Sequence, residues 1–284
     1  MMEQTGLVLE GGGMRGVYTA GILDFFMEKG VYLPYVIGVS AGACHGSSYV
    51  SRQPGRSKAV TVDYIEHPRY VNYRNFIRER SLFGMDFIFD ELPNRLVPFD
   101  FPAFFQSCQE FVVGTTDCVT GDPVYFTKNQ DADMLSVLRA SSSLPLLSPP
   151  VSVDGYTLLD GGISDPIPIR KSERDGNAKN IVILTRDKNY RKTPVKMEWL
   201  VRKLYPRYRK LVDKIIERHR IYNETLDYIN KQEKDGNVFI IRPANPVQVD
   251  RIEKNKEKLN NLYEQGYEDA QHAYQPLSQW LHTK

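Results

Sequence analysis

Apolar residues along the chain fall into short unbroken runs closed by glycine-rich turns, alternating with stretches in which they recur every three or four positions. Residues 6–9 are the first run, a short strand ending at Glu10. After the glycine cluster Gly11-Gly12-Gly13-Met14-Arg15-Gly16, the residues Val17, Ala20, Ile22, Leu23, Phe26 and Met27 predict a helix over 17–28, and Gly30 supplies its stop. Residues 35–39 are a second apolar run leading straight into Ser40-Ala41-Gly42-Ala43. Strand, loop, helix, strand and sharp turn are the opening of an α/β unit.

Farther along, 110–114 and 123–127 read as strands flanking a Gly-Asp turn, and 131–140 as a short helix. Residues 151–153 and 156–159 form a hairpin pattern around Asp154-Gly155, and 180–185 and 238–242 are further strands. The pattern from 198 to 231 is helical, with Leu200, Leu204, Leu211, Ile215 and Tyr222 compatible with one face and Pro206 splitting or kinking it. A last helix is expected over 249–274, with Leu259, Leu262 and Tyr263 among its apolar positions. Residues 51–100 have weak periodicity, many charges and scattered aromatics, and no element is assigned there. A jump in charge density near 188–195 marks a soft boundary, giving an expected organisation of an α/β domain over 1–187 and a mostly helical extension over 188–284 packed on it.

With 284 residues, 41% apolar and 25% charged, the chain is long enough for one large domain or a core with an appendage. A net charge of +2 gives no whole-molecule case for nucleic-acid binding. No apolar run reaches the roughly 18 residues that would span a bilayer. The first residues show neither the basic segment nor the long apolar stretch of a secretory signal. Three cysteines, Cys44, Cys108 and Cys118, point to a reducing compartment, so the cytoplasm is the expected location. One local imbalance stands out: residues 186–220 hold thirteen Lys or Arg against four Asp or Glu, interleaved with Tyr190, Trp199, Tyr205 and Tyr208. A solvated helix face and a surface lying against anionic lipid headgroups, at the inner face of the membrane, both fit that composition.

Three segments carry chemistry. In Gly38-Val39-Ser40-Ala41-Gly42, glycines on both sides of a serine permit a tight strand-to-helix turn that pushes the hydroxyl outward, although a glycine-rich turn with an ordinary N-cap serine has the same residues. The cluster at Gly11, Gly13 and Gly16 satisfies a dinucleotide fingerprint, but that reading needs an acidic residue at the end of the second strand, which ends instead in Gly38-Val39-Ser40. Consecutive glycines also expose backbone N–H groups suited to a developing oxyanion, with Arg15 either adding charge there or facing outward. In Leu159-Asp160-Gly161-Gly162, a carboxylate between an apolar strand and two glycines suits a fixed base that takes the Ser40 proton directly; a plain Asp-Gly turn has the same sequence.

Of the five histidines, His45, His67, His219, His272 and His282, the last three follow Asp160 as the chain order of a hydrolase triad requires, and His219 is the best candidate among them, but it sits in a strongly charged helix. Ala140-Ser141-Ser142-Ser143-Leu144-Pro145 reads as a loop packed near the nucleophile, its serines structural. No dense His/Cys/Asp cluster suggests a metal, and no cofactor is expected.

In combination and order, Gly11 to Gly16, Gly38 to Gly42, Ala140 to Pro145 and Asp160-Gly161-Gly162 resemble the signature blocks of the patatin-like phospholipase family, over roughly residues 5–185. The resemblance implies a three-layer α/β/α fold with a central mostly parallel sheet, here followed by a helical C-terminal extension. It also implies a Ser-Asp dyad without a catalytic histidine: Ser40 as nucleophile, Asp160 as base, Gly11, Gly12 and Gly13 with Arg15 at the oxyanion hole, and Gly38 and Gly42 shaping the elbow. The implied activity is lipid acyl hydrolysis of the phospholipase A or lysophospholipase type, with phospholipid or another acyl ester as substrate. A soluble carboxylesterase or thioesterase would use the same residues, and a non-catalytic scaffold could retain the fold. Residues 51–102 are the divergent part, where the family resemblance places a region covering the substrate.

Overall fold

The apolar strand runs alternate between two faces, as the period of two in a strand requires. In a computed structural model describing residues 4–128 and 133–282, Leu7, Leu9, Val36, Phe111, Val113, Ile181 and Ile183 join one core. Their neighbours Val8, Ile37, Val112, Val182 and Leu184 join another on the opposite side. Strands buried on both faces need cover on both faces, and continuous apolar runs are their sequence signature.

These strands are β1 (Thr5–Leu9), β2 (Tyr35–Val39), β3 (Glu110–Asp117), β4 (Pro123–Thr127), β5 (Val151–Val153), β6 (Tyr156–Asp160), β7 (Lys179–Ile183) and β8 (Val238–Ile241), all in one sheet. β1 pairs in parallel with β2 and β7, β2 with β3, and β7 with β8, while β4, β5 and β6 pair antiparallel. The helices are α1 (Val17–Glu28), α2 (Ala41–Val50), α3 (Arg56–Lys58), α4 (Tyr73–Glu79), α5 (Phe101–Gln106), α6 (Met134–Ser141), α7 (Ile169–Arg174), α8 (Glu198–Leu204), α9 (Arg209–Lys234) and α10 (Lys256–His282). α1, α2, α6 and α10 bury side chains in the first core; α7 and α9 bury theirs in the second. The result is the three-layer α/β/α arrangement.

Several expected boundaries move for identifiable reasons. Pro206 separates α8 from α9, as its missing N–H requires. The last helix starts at Lys256 rather than 249, because the Arg251 carbonyl accepts the Met14 N–H (3.2 Å) and ties that stretch to the glycine cluster. The same helix continues through Pro276 to His282, its last turns anchored by buried Leu277 and Leu281. Asp133 caps α6 by accepting the Leu135 N–H (3.1 Å), and residues 131 and 132 of the expected helix lie outside the described residues. Residues 51–100 contain short helices and widened turns in which Tyr64 N–H reaches Ala59 O and Val97 N–H reaches Leu92 O, five residues back. Such turns have no sustained helical period for a sequence to display.

α10 crosses α1 at two facing glycines. A Cβ on Gly21 would lie 2.1 Å from the Tyr263 carbonyl oxygen, and one on Gly266 would lie 2.1 Å from that of Tyr18. The crossing is bracketed by reciprocal bonds: Tyr18 OH donates to Asp269 and Tyr263 OH to Asp24, each at 2.7 Å.

Candidate active site

Ser40 stands between β2 and α2 at φ 54°, ψ −131°, a region a non-glycine residue enters only when its surroundings enforce it. The enforcement comes from close packing on both sides. A Cβ on Gly38 would lie 2.7 Å from Ala43 N, and one on Gly42 would lie 2.6 Å from the Leu9 and Glu10 carbonyl oxygens. The Ser40 N–H donates to Ser141 Oγ (2.7 Å), whose hydroxyl donates onward to Gly114 O (2.7 Å). Ser141 is therefore a strut between the turn and β3, with its carbonyl-directed proton leaving a lone pair for Ser40.

Asp160 arrives beside Ser40 through an unusual pairing of β3. Gly114 pairs with Val39 of β2, and the next residue, Thr115, pairs with Asp160 of β6. Because β4 pairs with residues 112–116 along the opposite edge, β2 and β6 meet end to end on the same edge of β3. Gly161 is forced by that junction: a Cβ there would lie 2.1 Å from Gly114 O and 3.0 Å from Val39 Cγ1. Asp160 is 1% exposed; its Oδ1 accepts the Gly162 N–H (2.9 Å), while Oδ2 is buried without a protein partner.

The glycine cluster closes the third side. A Cβ on Gly11 would lie 3.1 Å from Ser40 Cβ, and Gly13, at φ +58°, lies against the Arg251 backbone. Among the described residues no protein acceptor is found for the amide N–H of Gly11 or Gly12. Arg15 faces inward and is 6% exposed, with its Nε buried and unpartnered. Burial, reinforced by the Arg186 and Arg251 charges, lowers its pKa to about 10, which leaves it charged at neutral pH.

Two cavities meet at this point, and Gly13, Ser40 and Leu144 line both. The larger is walled by Met14, Val60, Tyr70, Phe83, Ile88 and Phe99 among others, so residues 51–100 provide much of its apolar lining. The smaller holds Gly11, Gly12, Arg15 and Asp160 together with Glu10, Arg186, Lys192, Arg218, Tyr222 and Arg251. All the sequence-derived site residues are thus gathered: Ser40, Asp160, Gly11, Gly12, Gly13 and Arg15 line one cleft, with Gly38 and Gly42 behind the turn.

Sequence reasoning missed Glu10, Arg186, Lys192, Arg218, Tyr222 and Arg251. Glu10 Oε2 accepts Thr185 N–H (2.6 Å) and Thr185 Oγ1–H (3.0 Å), and its Oε1 accepts the Tyr222 hydroxyl (2.7 Å). Arg186, Lys192 and Arg218 belong to the basic segment 186–220, yet they point into the cleft. Others of that segment pair outside, as in Arg191–Asp227 (2.6 Å) and Arg220–Glu224 (3.1 Å).

The histidines are elsewhere or inert. His45 is buried in α2 and its pKa is lowered to about 4 by burial; His67 stacks on Phe87; His219 bonds to Ile216 O and lines a neighbouring cavity that shares Lys192, Arg218 and Arg251 with the cleft but not Ser40 or Asp160. Among the described residues no group of three or more His, Cys, Asp or Glu side chains is placed to hold a metal ion.

An α/β/α sheet with a strained serine at the end of a parallel strand and a buried carboxylate beside it defines the class, and the chain belongs to the patatin-like phospholipase family. The family model described as "Patatin-like phospholipase" matches residues 7–171, and a second, "Domain of unknown function (DUF6363)", matches 208–282. The chain is similar to the uncharacterized protein YjjU of Escherichia coli, at 30% identity over 85% of this chain and 69% of that protein. It is also similar to the lysophospholipase NTE1 of Meyerozyma guilliermondii, at 28% identity over 63% of this chain but only 12% of that much longer protein. Among solved structures, VipD from Legionella pneumophila shares the fold, with a TM-score of 0.52 at 13% identity over 95% of this chain and 66% of that one.

Proposed function

We propose that the chain is a serine-dependent lipid acyl hydrolase of the phospholipase A or lysophospholipase type, working through a Ser40–Asp160 dyad. One observation carries the reading: Ser40 stands where an apolar chamber and a polar, basic cleft meet. An acyl ester has that same division, with a hydrocarbon chain on one side of the carbonyl and a polar alcohol on the other. The names of the fungal relatives, lysophospholipases, support the same class.

In this mechanism Asp160 takes the Ser40 proton through its unpartnered Oδ2 as Oγ attacks the ester carbonyl. The Gly11, Gly12 and Gly13 amides and Arg15 stabilise the oxyanion. Collapse expels the alcohol, which takes the proton from Asp160, and leaves the acyl group on Ser40. Water, deprotonated by Asp160, then attacks the acyl-enzyme and releases the fatty acid with Ser40 restored.

Residues 1–187 form the hydrolase unit in this reading and 188–284 an extension packed on it, contributing β8 to the sheet and α10 to the first core. No described helix is long and apolar enough to cross a membrane. Access to lipid is by peripheral contact of the basic segment with anionic headgroups, at a surface that exposes Met197, Trp199 and Leu204.

The test is labelling with a fluorophosphonate probe, located by peptide mass spectrometry, on wild type, Ser40→Ala and Asp160→Asn. Label on Ser40 that disappears in the first variant and falls sharply in the second is expected. Folded wild type that takes no label with detergent or lipid present would defeat the proposal.

A further inference from the structure

The cleft beside Ser40 contains more positive charge than acyl transfer requires. Arg15, Arg186, Lys192, Arg218 and Arg251 line it, and none makes an ion pair with a described residue. The Nε atoms of Arg15, Arg186 and Arg218 are buried with no acceptor. Burying a charged donor without a partner is strongly unfavourable, so a convergence of such donors calls for an anion from outside.

The carboxylates present do not fill that role. Glu10 is already bonded to Thr185 and Tyr222, and Asp160 bonds the Gly162 N–H through Oδ1, keeps Oδ2 for the Ser40 proton and makes no ion pair with any of the five. The four arginines alone outnumber them. The five basic residues also come from four places in the chain: Arg15 after β1, Arg186 and Lys192 after β7, Arg218 on α9 and Arg251 before α10. A compact group with several acceptor oxygens and a double negative charge matches such converging forks.

We propose that this cleft binds a phosphomonoester, and that the preferred substrate is an acyl ester whose alcohol carries a terminal phosphate. This rests on the hydrolase reading above and adds the identity of the polar half of its substrate. Hydrolysis cleaves only the acyl–oxygen bond: ester and water give fatty acid and the phosphorylated alcohol, with the phosphorus–oxygen bonds untouched.

A quaternary ammonium headgroup fits the cleft poorly. Its natural partners are open aromatic faces. Here Arg186 lies 4.5 Å over the Tyr190 ring and Lys192 lies 5.2 Å over that of Tyr222, so protein cations already hold the aromatic rings of the cleft.

The test has a binding arm and a catalytic arm. In the first, inorganic phosphate and glycerol 3-phosphate are titrated calorimetrically into the full-length Ser40→Ala protein. Saturable binding is expected, weakened about tenfold or more when Arg218→Gln or Arg251→Gln is added. Arg251→Gln, in the segment before α10, keeps the test available should Arg218→Gln fail to fold. In the second, kcat/KM is compared for three esters of one acyl chain: a monoacylglycerol phosphate, the matching lysophosphatidylcholine and the uncharged monoacylglycerol. The phosphomonoester is expected to lead by about tenfold or more, with the lead collapsing in either arginine variant. Equal rates on all three esters with no phosphate binding would overturn the proposal while leaving the hydrolase reading intact. Phosphate binding with no ester preference would also overturn it, since the ligand would then be free phosphate. Binding that depends on Arg218, with no ester hydrolysed, would uphold the anion site and defeat the hydrolase reading.

Discussion

Arg218 Nη2 lies 3.0 Å from the place a Cβ on Gly162 would occupy, so α9, far along the chain, rests directly on the turn that follows Asp160. The same Cβ would lie 2.9 Å from Asp160 Oδ1. A guanidinium from α9 and a carboxylate at the end of β6 thus share the space that one missing methyl leaves. Burial, reinforced by the neighbouring Arg251 charge and opposed by that of Asp160, lowers the Arg218 pKa to about 10.

Gly162→Ala tests whether that space matters. The methyl must displace either the Asp160 carboxylate or the Arg218 head, and either shift disturbs the base or the cationic wall. Hydrolysis is expected to fall by about tenfold or more with the fold retained, because misplacing a reacting group by an ångström can cost on the order of a hundredfold. Steady-state rates beside a circular-dichroism melt check this; an unchanged rate would show that the junction tolerates a methyl.

The α1–α10 crossing makes a separate prediction about stability. In Gly266→Ala the new methyl meets the Tyr18 carbonyl, a backbone atom that cannot rotate away. The two helices must separate, at a cost of about 1–3 kcal/mol or more. Denaturant unfolding is the measurement, and Tyr18→Phe, which removes only the bond to Asp269, is expected to cost less.

His45 sets a pH dependence of the folded state. Burial holds its pKa at about 4, below the ordinary 6.5. Between those values the unfolded chain takes up a proton that the folded chain refuses, so this contribution to stability is present above about pH 6.5 and is lost as pH falls toward 4. Melting temperatures across that interval are expected to fall more steeply in wild type than in His45→Gln.

Lys192 predicts a pH dependence of anion binding. Burial, with the Arg218 and Arg251 charges, pushes its pKa down to about 6, against a weaker opposing effect of Glu10. At pH 7 its amine is largely neutral, and an anion in the cleft raises its pKa. Binding a ligand of constant charge such as sulfate is therefore accompanied by proton uptake and tightens as pH falls from 7 toward 6. Calorimetry in buffers of different ionisation enthalpy reads that uptake, which is expected to shrink in Lys192→Met.

Much of the architecture was legible because it is local. The strand over 35–39, the helix over 17–28 and the hairpin about Asp154-Gly155 are specified by side-chain period and turn chemistry within a few residues of each position. The glycines around Ser40 were readable for the same reason: a tight turn leaves no room for a Cβ, whatever lies beyond it. Residues 51–100 were not readable, since short helices and widened turns held by tertiary packing leave no period to detect.

By itself, the sequence determined the order of strands and helices, the sharp turn at Ser40, the Asp-Gly-Gly turn and the family blocks that link them. Only the tertiary structure decided that β2 and β6 share one edge of β3, which brings Asp160 to Ser40, and that Lys192, Arg218 and Arg251 turn inward beside Arg15. The reason is physical. Turns and periodicity act between near neighbours in the chain, whereas strand pairing and the direction of a long charged side chain are set by whichever distant surface it finally packs against. A run of lysines and arginines looks the same in sequence whether its members face water or a buried cleft.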